Sequence, residues 1–110
     1  MTTATAKQLS QTALTATTTT TLYTVPAATK TILKEITLCN TDTSSRTVTI
    51  QAGASPATGA SARILSAVNL LAGETKVVSL SMVLEATHLI TGGASSASVV
   101  SCTISGAEVA

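Results

Sequence analysis

The side chains that do most biological chemistry are scarce in this chain. There is one histidine, His88, one aspartate, Asp42, four glutamates and two cysteines, Cys39 and Cys102. A metal site needs three or four such ligands converging. Within reach of His88 along the chain there is only Glu85, so His88 reads as a surface or half-buried strand residue. A Ser-His-Asp triad can be assembled on paper from a serine, His88 and Asp42, but no Gly-x-Ser-x-Gly elbow presents the nucleophile. The stretch Gly92-Gly93-Ala94-Ser95-Ser96 reads instead as a hairpin loop. No Gly-x-x-x-x-Gly-Lys-Ser/Thr segment exists to cradle a phosphate. Tyr23 is the lone aromatic, too little for stacked bases or for the aromatic platform of a sugar site. The expectation is a protein without catalytic residues, cofactor or metal. Tyr23, just before Pro26, is expected to plug a thin core and keep its hydroxyl wet.

The rest of the composition points to a framework. Thr, Ala and Ser (23, 18 and 13 residues) fill about half of the 110 positions, and Leu, Ile and Val add 26. Charged residues make up 10% and the net charge is +1, which is not the footprint of a nucleic-acid binder. The hydrophobic share of 45% and the mean hydropathy of +0.47 exclude disorder of the polar, highly charged kind. No run of about 18 apolar residues could cross a bilayer as a helix, and the first residues lack the pattern of a signal peptide. Synthesis in a cytoplasm is the expectation. A core of small aliphatic side chains is thin for this length, so burial against other chains is expected. The cysteines fall within strands and are expected as buried thiols.

Hydrophobic periodicity supplies the elements. The β-branched run Thr17–Thr21 opposes a helix. Residues 1–18 read as an extended N-terminal arm or edge strand anchored by Leu9 and Leu14, with a short helix over Lys7–Ala13 as the alternative. Residues 19–110 read as the folded domain. Its expected strands are Thr19–Val25, Thr31–Asn40, Arg46–Ala52, Ala62–Leu71, Thr75–Val83, His88–Thr91 and Ala97–Ser105. Gly53–Ser61 is a small-residue excursion, Leu84–Thr87 a corner, and Gly106–Ala110 a tail. Thr31–Asn40 and Arg46–Ala52, joined by the polar cluster 40–45, look like a hairpin. Within the first of these, Lys34 interrupts the apolar row Ile32, Ile36, Leu38. Either it snorkels to an edge or it meets an acid of a partner. Arg46–Ala52 alternates, with Val48, Ile50 and Ala52 in and Thr47, Thr49 and Gln51 out.

Seven or eight short strands without room for helical crossovers exclude a parallel α/β sheet. The expected fold is an all-β antiparallel sandwich. A jelly roll is favoured over an immunoglobulin-like sandwich, whose buried Trp and Cys pair are missing. Ala62–Leu71 is apolar on both faces, Ile64, Val68 and Leu70 against Leu65, Ala67 and Leu71. A sandwich layer buries one face, so the other needs a cover. The arm through Leu9 and Leu14, or a second copy around a three-fold axis, would supply it. Leu65, Ala67, Leu71, Leu9 and Leu14 are therefore the candidate oligomer interface.

One resemblance extends this reading. Leu22-Tyr23-Thr24-Val25-Pro26-Ala27-Ala28-Thr29-Lys30-Thr31 is similar to the "Leu-Tyr-Thr-Val-Pro-Ala-Gly-Lys" opening of small virion proteins of tailed bacteriophages. Cys39-Asn40-Thr41 resembles the hairpin turn that follows in that group. Leu71-Ala72-Gly73-Glu74-Thr75 and Ile104-Ser105-Gly106-Ala107-Glu108-Val109 are similar to later segments of the group. Ala28 stands where the group tends to have Gly, which would alter the turn after Pro26. The resemblance covers residues 20–108 and implies a non-enzymatic virion structural protein. The expected role is a capsid decoration (cement) protein, a homotrimer bridging major capsid subunits on the head exterior, with no nucleic-acid or membrane partner. A tail, neck or fibre component is the alternative within the virion, and a receptor- or glycan-binding module is the alternative of another class.

Overall fold

The computed structural model describes residues 4–57 and 59–110. Residues 1–3 of the expected arm and Thr58 of the expected excursion lie outside the described residues. Eight strands form: β1 (Ala4–Ala13), β2 (Thr21–Thr24), β3 (Lys30–Asn40), β4 (Arg46–Gly53), β5 (Arg63–Leu70), β6 (Thr75–Leu84), β7 (Leu89–Ala94) and β8 (Val100–Val109). They make two four-stranded sheets, ordered β1-β8-β3-β6 and β2-β7-β4-β5, with every pairing antiparallel. Successive strands cross between the sheets, except for the β4–β5 neighbours. This nesting of Greek keys is the jelly roll, the fold expected from the strand count.

The crossings correct one expectation: β3 and β4 are not a hairpin. Asn40 ends β3 with its side chain fully buried. Its amide nitrogen donates toward the carbonyls of Ser44, Leu70 and Leu71 at 2.9–3.2 Å, and its side-chain oxygen accepts the Asp42 N–H at 3.0 Å. The segment is thereby tied to the end of β5 in the other sheet. Arg46 Nε donates to Asp42 Oδ2 at 2.8 Å and closes the corner. Short range alone, polar turn chemistry looks the same for a hairpin and a corner.

The core lies between the sheets and is aliphatic. Leu33, Ile36, Leu38, Val48, Ile50 and Ile104 are fully buried in it, and each full burial of this kind contributes roughly 1.5–3 kcal/mol. Lys34 does not interrupt a buried row. Register shifts between Leu33 and Glu35, so that Thr31 and Leu33 point in, Lys34 and Glu35 both lie exposed, and Ile36, Leu38 and Asn40 point in again. A bulge of this sort re-aims every later side chain. Lys34 ends beside Ser81, with Nζ to Oγ at 3.3 Å.

Glycines that looked like stops sit inside strands. β7 runs through Gly92 and Gly93 to Ala94, and β8 through Gly106 to Val109. A Cβ on Gly93 would lie 2.1 Å from the Thr17 carbonyl oxygen, and one on Gly106 would lie 2.1 Å from that of Ile32. Neighbouring backbone thus approaches too closely for any side chain. The excursion after β4 also folds back. Thr91 Oγ1 donates to Ala57 O at 2.8 Å, and Gln51 Oε1 accepts the Gly59 N–H at 3.0 Å. Thr49 and Gln51, expected to face solvent, are both buried, Gln51 against this excursion and Thr49 against the Ala67 N–H of β5.

Candidate functional site

The proposed interface residues divide between core and edge. Residues 4–13 pair along β8 as the outermost strand of their sheet, not as a helix over Lys7–Ala13. Leu9 and the following Leu14 both enter the subunit's own hydrophobic cluster, with Leu14 1% exposed. Leu65 is half-buried against that cluster, and Leu70 is fully within it. Ala67 is exposed at a left-handed φ of +48°. There the β4–β5 register shifts and the Ala67 N–H reaches Thr49 Oγ1 at 3.1 Å. The bulge explains why both faces of 62–71 look apolar: alternation breaks partway, and the neighbours Ile64 and Leu65 both rest partly on the core. Leu71, just past β5, remains 57% exposed.

Among the described residues two further large apolar side chains stand in solvent, both on β6: Val77 at 54% and Val83 at 58%. β6 is the edge strand opposite β1 in the first sheet, and its alternation holds from Thr75 to Leu84. The expected split is observed, with Val78, Leu80 and Met82 toward the core and Val77, Ser79, Ser81 and Val83 outward. The sequence carried this signal, yet the outward valines were not singled out. They lie beside Ile32 and Thr37 of β3, to which Val83 and Val77 respectively pair.

The titratable groups are engaged in structural contacts. Tyr23 packs against the core; its hydroxyl donates to Glu108 Oε2 and lies 2.9 Å from Thr31 Oγ1. Lys7 Nζ binds the other oxygen, Glu108 Oε1, at 3.2 Å. Burial and the neighbouring carboxylate push the Tyr23 hydroxyl up to about 12. The hydroxyl, and then Lys7, hold Glu108 below the usual carboxylate range. Chain separations of 85 and 101 residues kept this cluster out of reach of any local motif. It ties β1, β2, β3 and β8 together at one end of the sandwich. Asp42 is lowered by its bonds from Arg46 and the Thr43 N–H. His88 closes the turn after β6, its Nδ1 accepting the Glu85 N–H at 3.3 Å.

The cysteines correct a second expectation. Cys102 points into the core, and burial raises its thiol to about 12. Cys39 is only half-buried, because it alternates with Leu38 and Asn40, which point inward. It pairs with Ser101 while Leu38 pairs with Cys102, so the two thiols occupy opposite faces of one sheet and both are free. Among the described residues no three His, Cys, Asp or Glu come together as metal ligands, and no helix is long and apolar enough to cross a membrane. A shallow cleft of about 380 Å³ lies beside the Lys30–Glu85 ion pair, walled largely by Ala28, Ala86 and Val109. It offers a ligand one exposed ion pair and little to orient it.

No protein-family model matches the chain, and no curated protein matches it in sequence. Solved structures do. The chain is similar to one from the T13 IBDV viral particle, at 10% identity and a TM-score of 0.51, over 99% of this chain and 30% of that one. It is also similar to a chain from infectious bursal disease virus strain Gx, at 15% identity and a TM-score of 0.51, over 99% of this chain and 32% of that one. This chain spans about a third of the length of those proteins. At such identities the likeness is one of fold: the described residues form a jelly-roll β-sandwich similar to a part of those two virus-particle chains.

Proposed function

We propose that the chain is a non-enzymatic structural protein of a virus particle, and more finely a capsid decoration (cement) protein of a tailed bacteriophage. It lies on the head exterior, associates with itself and bridges major capsid subunits. The observation that carries the reading is the coincidence of two independent likenesses. The jelly-roll topology is shared with virus-particle chains over 99% of this chain, and the 22–31, 39–41 and 71–75 segments resemble phage virion proteins. Fold by itself does not fix function, so the engagement of the titratable groups adds support. Glu108, Asp42 and His88 are each held in a contact that closes the framework.

Self-association is supported by the apolar side chains left in solvent. The three-fold contact proposed for 62–71 rests on Leu71, on half-covered Leu65 and on Ala67 at the β5 edge. Leu9 and Leu14 support it from within the subunit by holding β1 and the segment after it in place. The experiment is to probe purified particles with an antibody raised against the recombinant chain. Decoration of the head surface is the expected result. Label confined to the tail, neck or fibres favours the alternative virion location, and particles that carry none of the chain refute the virion role.

A further inference from the structure

Each sheet ends in two edge strands, and an exposed edge is a template for another strand. Three of the four edges are blunted. β1 shifts register between Gln8 and Ser10. β2 has only four residues and a shift of its own. β5 is broken by two shifts and by Ala67 in the left-handed region. β6 is different: ten residues long, with a strict alternation of exposed and half-buried positions. Its pairing with β3 also shifts, from Leu33↔Met82 to Glu35↔Ser79, so that β6 has one residue more than β3 there, yet its own alternation of faces is unbroken through that stretch. It carries one charge, Lys76, at its start, and two valines more than half exposed.

The sequence of β6 is also symmetric. Around Leu80 it reads Val77-Val78-Ser79-Leu80-Ser81-Met82-Val83, the same in character from either end. We infer that β6 pairs antiparallel with β6 of a second copy of this chain, about a two-fold axis through Leu80. The two β1-β8-β3-β6 sheets become one sheet of eight strands. A two-fold contact is isologous, so its surface must complement itself, and this strand does. In that register Val77 faces Val83 of the second copy twice, and Ser79 faces Ser81 twice, all on the outer face. Val78 faces Met82 twice and Leu80 faces Leu80 on the inner face. Directly opposed residues are the units that stabilise a sheet.

Neighbouring registers fail this match. Centring on Ser79 sets Val77 against Ser81 and Val83 against Thr75, while Lys76 meets an apolar residue in either register, Met82 there and Leu84 in the Leu80 register. Centring on Ser81 sets Val77 against Glu85 and Ser79 against Val83. The Leu80 register also opposes even positions to even and odd to odd. Whichever alternate set of amides points away from β3 therefore finds partners, as antiparallel ladders require. The contact depends on the edge alone and stands apart from the virion reading. It is distinct from the three-fold contact at β5, and the two together would knit subunits into a net.

The test uses the full chain with paired substitutions on the outer face, where both valines are already largely in solvent. V77K/V83K places lysine opposite lysine at both pairs, whereas V77K/V83E places lysine opposite glutamate. Circular dichroism checks that the β content of each is unchanged, and sedimentation velocity at low salt reads the mass. Wild type is expected at an even multiple of the 10.9 kDa chain mass. V77K/V83K is expected at half the wild-type mass or less, and V77K/V83E at the wild-type mass, falling as salt is added. A monomeric wild type at all concentrations, or a V77K/V83K of unchanged mass, overturns the contact. Equal loss of mass in both variants overturns the Leu80 register.

Discussion

Gly93→Ala puts one methyl group where the chain has no room. A Cβ there would stand 2.1 Å from Thr17 O, 2.6 Å from Thr17 C and 2.9 Å from Thr15 O. Carbon and oxygen touch comfortably at roughly 3.3 Å or more, so the 15–17 backbone must retreat by about 1 Å. That backbone is held by several bonds. Ala94 N–H reaches Thr15 O at 2.9 Å, and Gly92 N–H reaches Thr20 O at 3.0 Å. Gln51 Nε2 reaches Thr18 O at 2.9 Å. Overpacking costs about 1–3 kcal/mol, and each bond stretched or lost adds about 1 kcal/mol. With two bonds affected, a loss of roughly 3–5 kcal/mol is expected, about a fifth or more of the stability of a small domain at about 5–15 kcal/mol. Urea unfolding measures it, and the Tm is expected to fall by roughly 12–20 °C. Gly59→Ala is the control. Its Cβ would meet nothing within 4 Å, but its φ is +91°, so it isolates the backbone penalty of about 1–2 kcal/mol. A Gly93→Ala protein no less stable than Gly59→Ala would refute the crossing of 15–17 over β7.

Three other outcomes follow from the same geometry. Ala28 keeps a φ of +57°, the conformation that glycine favours, so Ala28→Gly is expected to raise stability by about 0.5–1 kcal/mol in urea unfolding; a loss would mean that the turn does not hold that angle. The folded-state values of Glu108 and Asp42 lie below their ordinary 4.5 and 3.8. Their contribution is therefore complete above about those values and is lost as pH falls through the depressed ones. That of Tyr23, raised from 10.0 to about 12, is complete below pH 10 and is lost toward 12. Glu108→Gln should flatten the acid limb of a stability–pH curve and Tyr23→Phe the alkaline limb, and unchanged limbs would contradict the cluster. Under native conditions at pH 8 a thiol reagent is expected to modify Cys39 well before Cys102, and equal rates would contradict the opposite-face placement.

What the sequence carries legibly is the period. Val78, Leu80 and Met82 against Val77, Ser79, Ser81 and Val83 places β6 to within a residue, because a strand covered on one face writes its exposure directly into alternation. The jelly roll follows from strand number and from the missing features of its rival. The order of strands does not, since a corner at 40–45 and a hairpin use the same turn residues and differ only in the distant carbonyls of Leu70 and Leu71 that Asn40 finds. Gly92, Gly93 and Gly106 read as stops because a glycine chosen for close backbone approach looks like one chosen for a turn. Lys34 hid a change of face: Ile36 and Leu38 point inward as the row of even positions requires, but before Lys34 it is Thr31 and Leu33, not Ile32, that do. Gln51 looked outward because the loop that covers it is itself polar and small. The Tyr23–Glu108–Lys7 cluster joins residues from both ends of the chain and has no local signature. At the candidate interface, the composition of 62–71 was legible and the bulge that redistributes its side chains was not.

The virion role is tested most directly by an electron-microscopy map of the whole particle, read for the position and copy number of this chain. The expected map shows the two four-stranded sheets of this jelly roll on the head exterior, in many symmetry-related copies, each touching more than one capsid subunit. A head shell bare of the chain, with no copy elsewhere on the particle, would contradict the role outright.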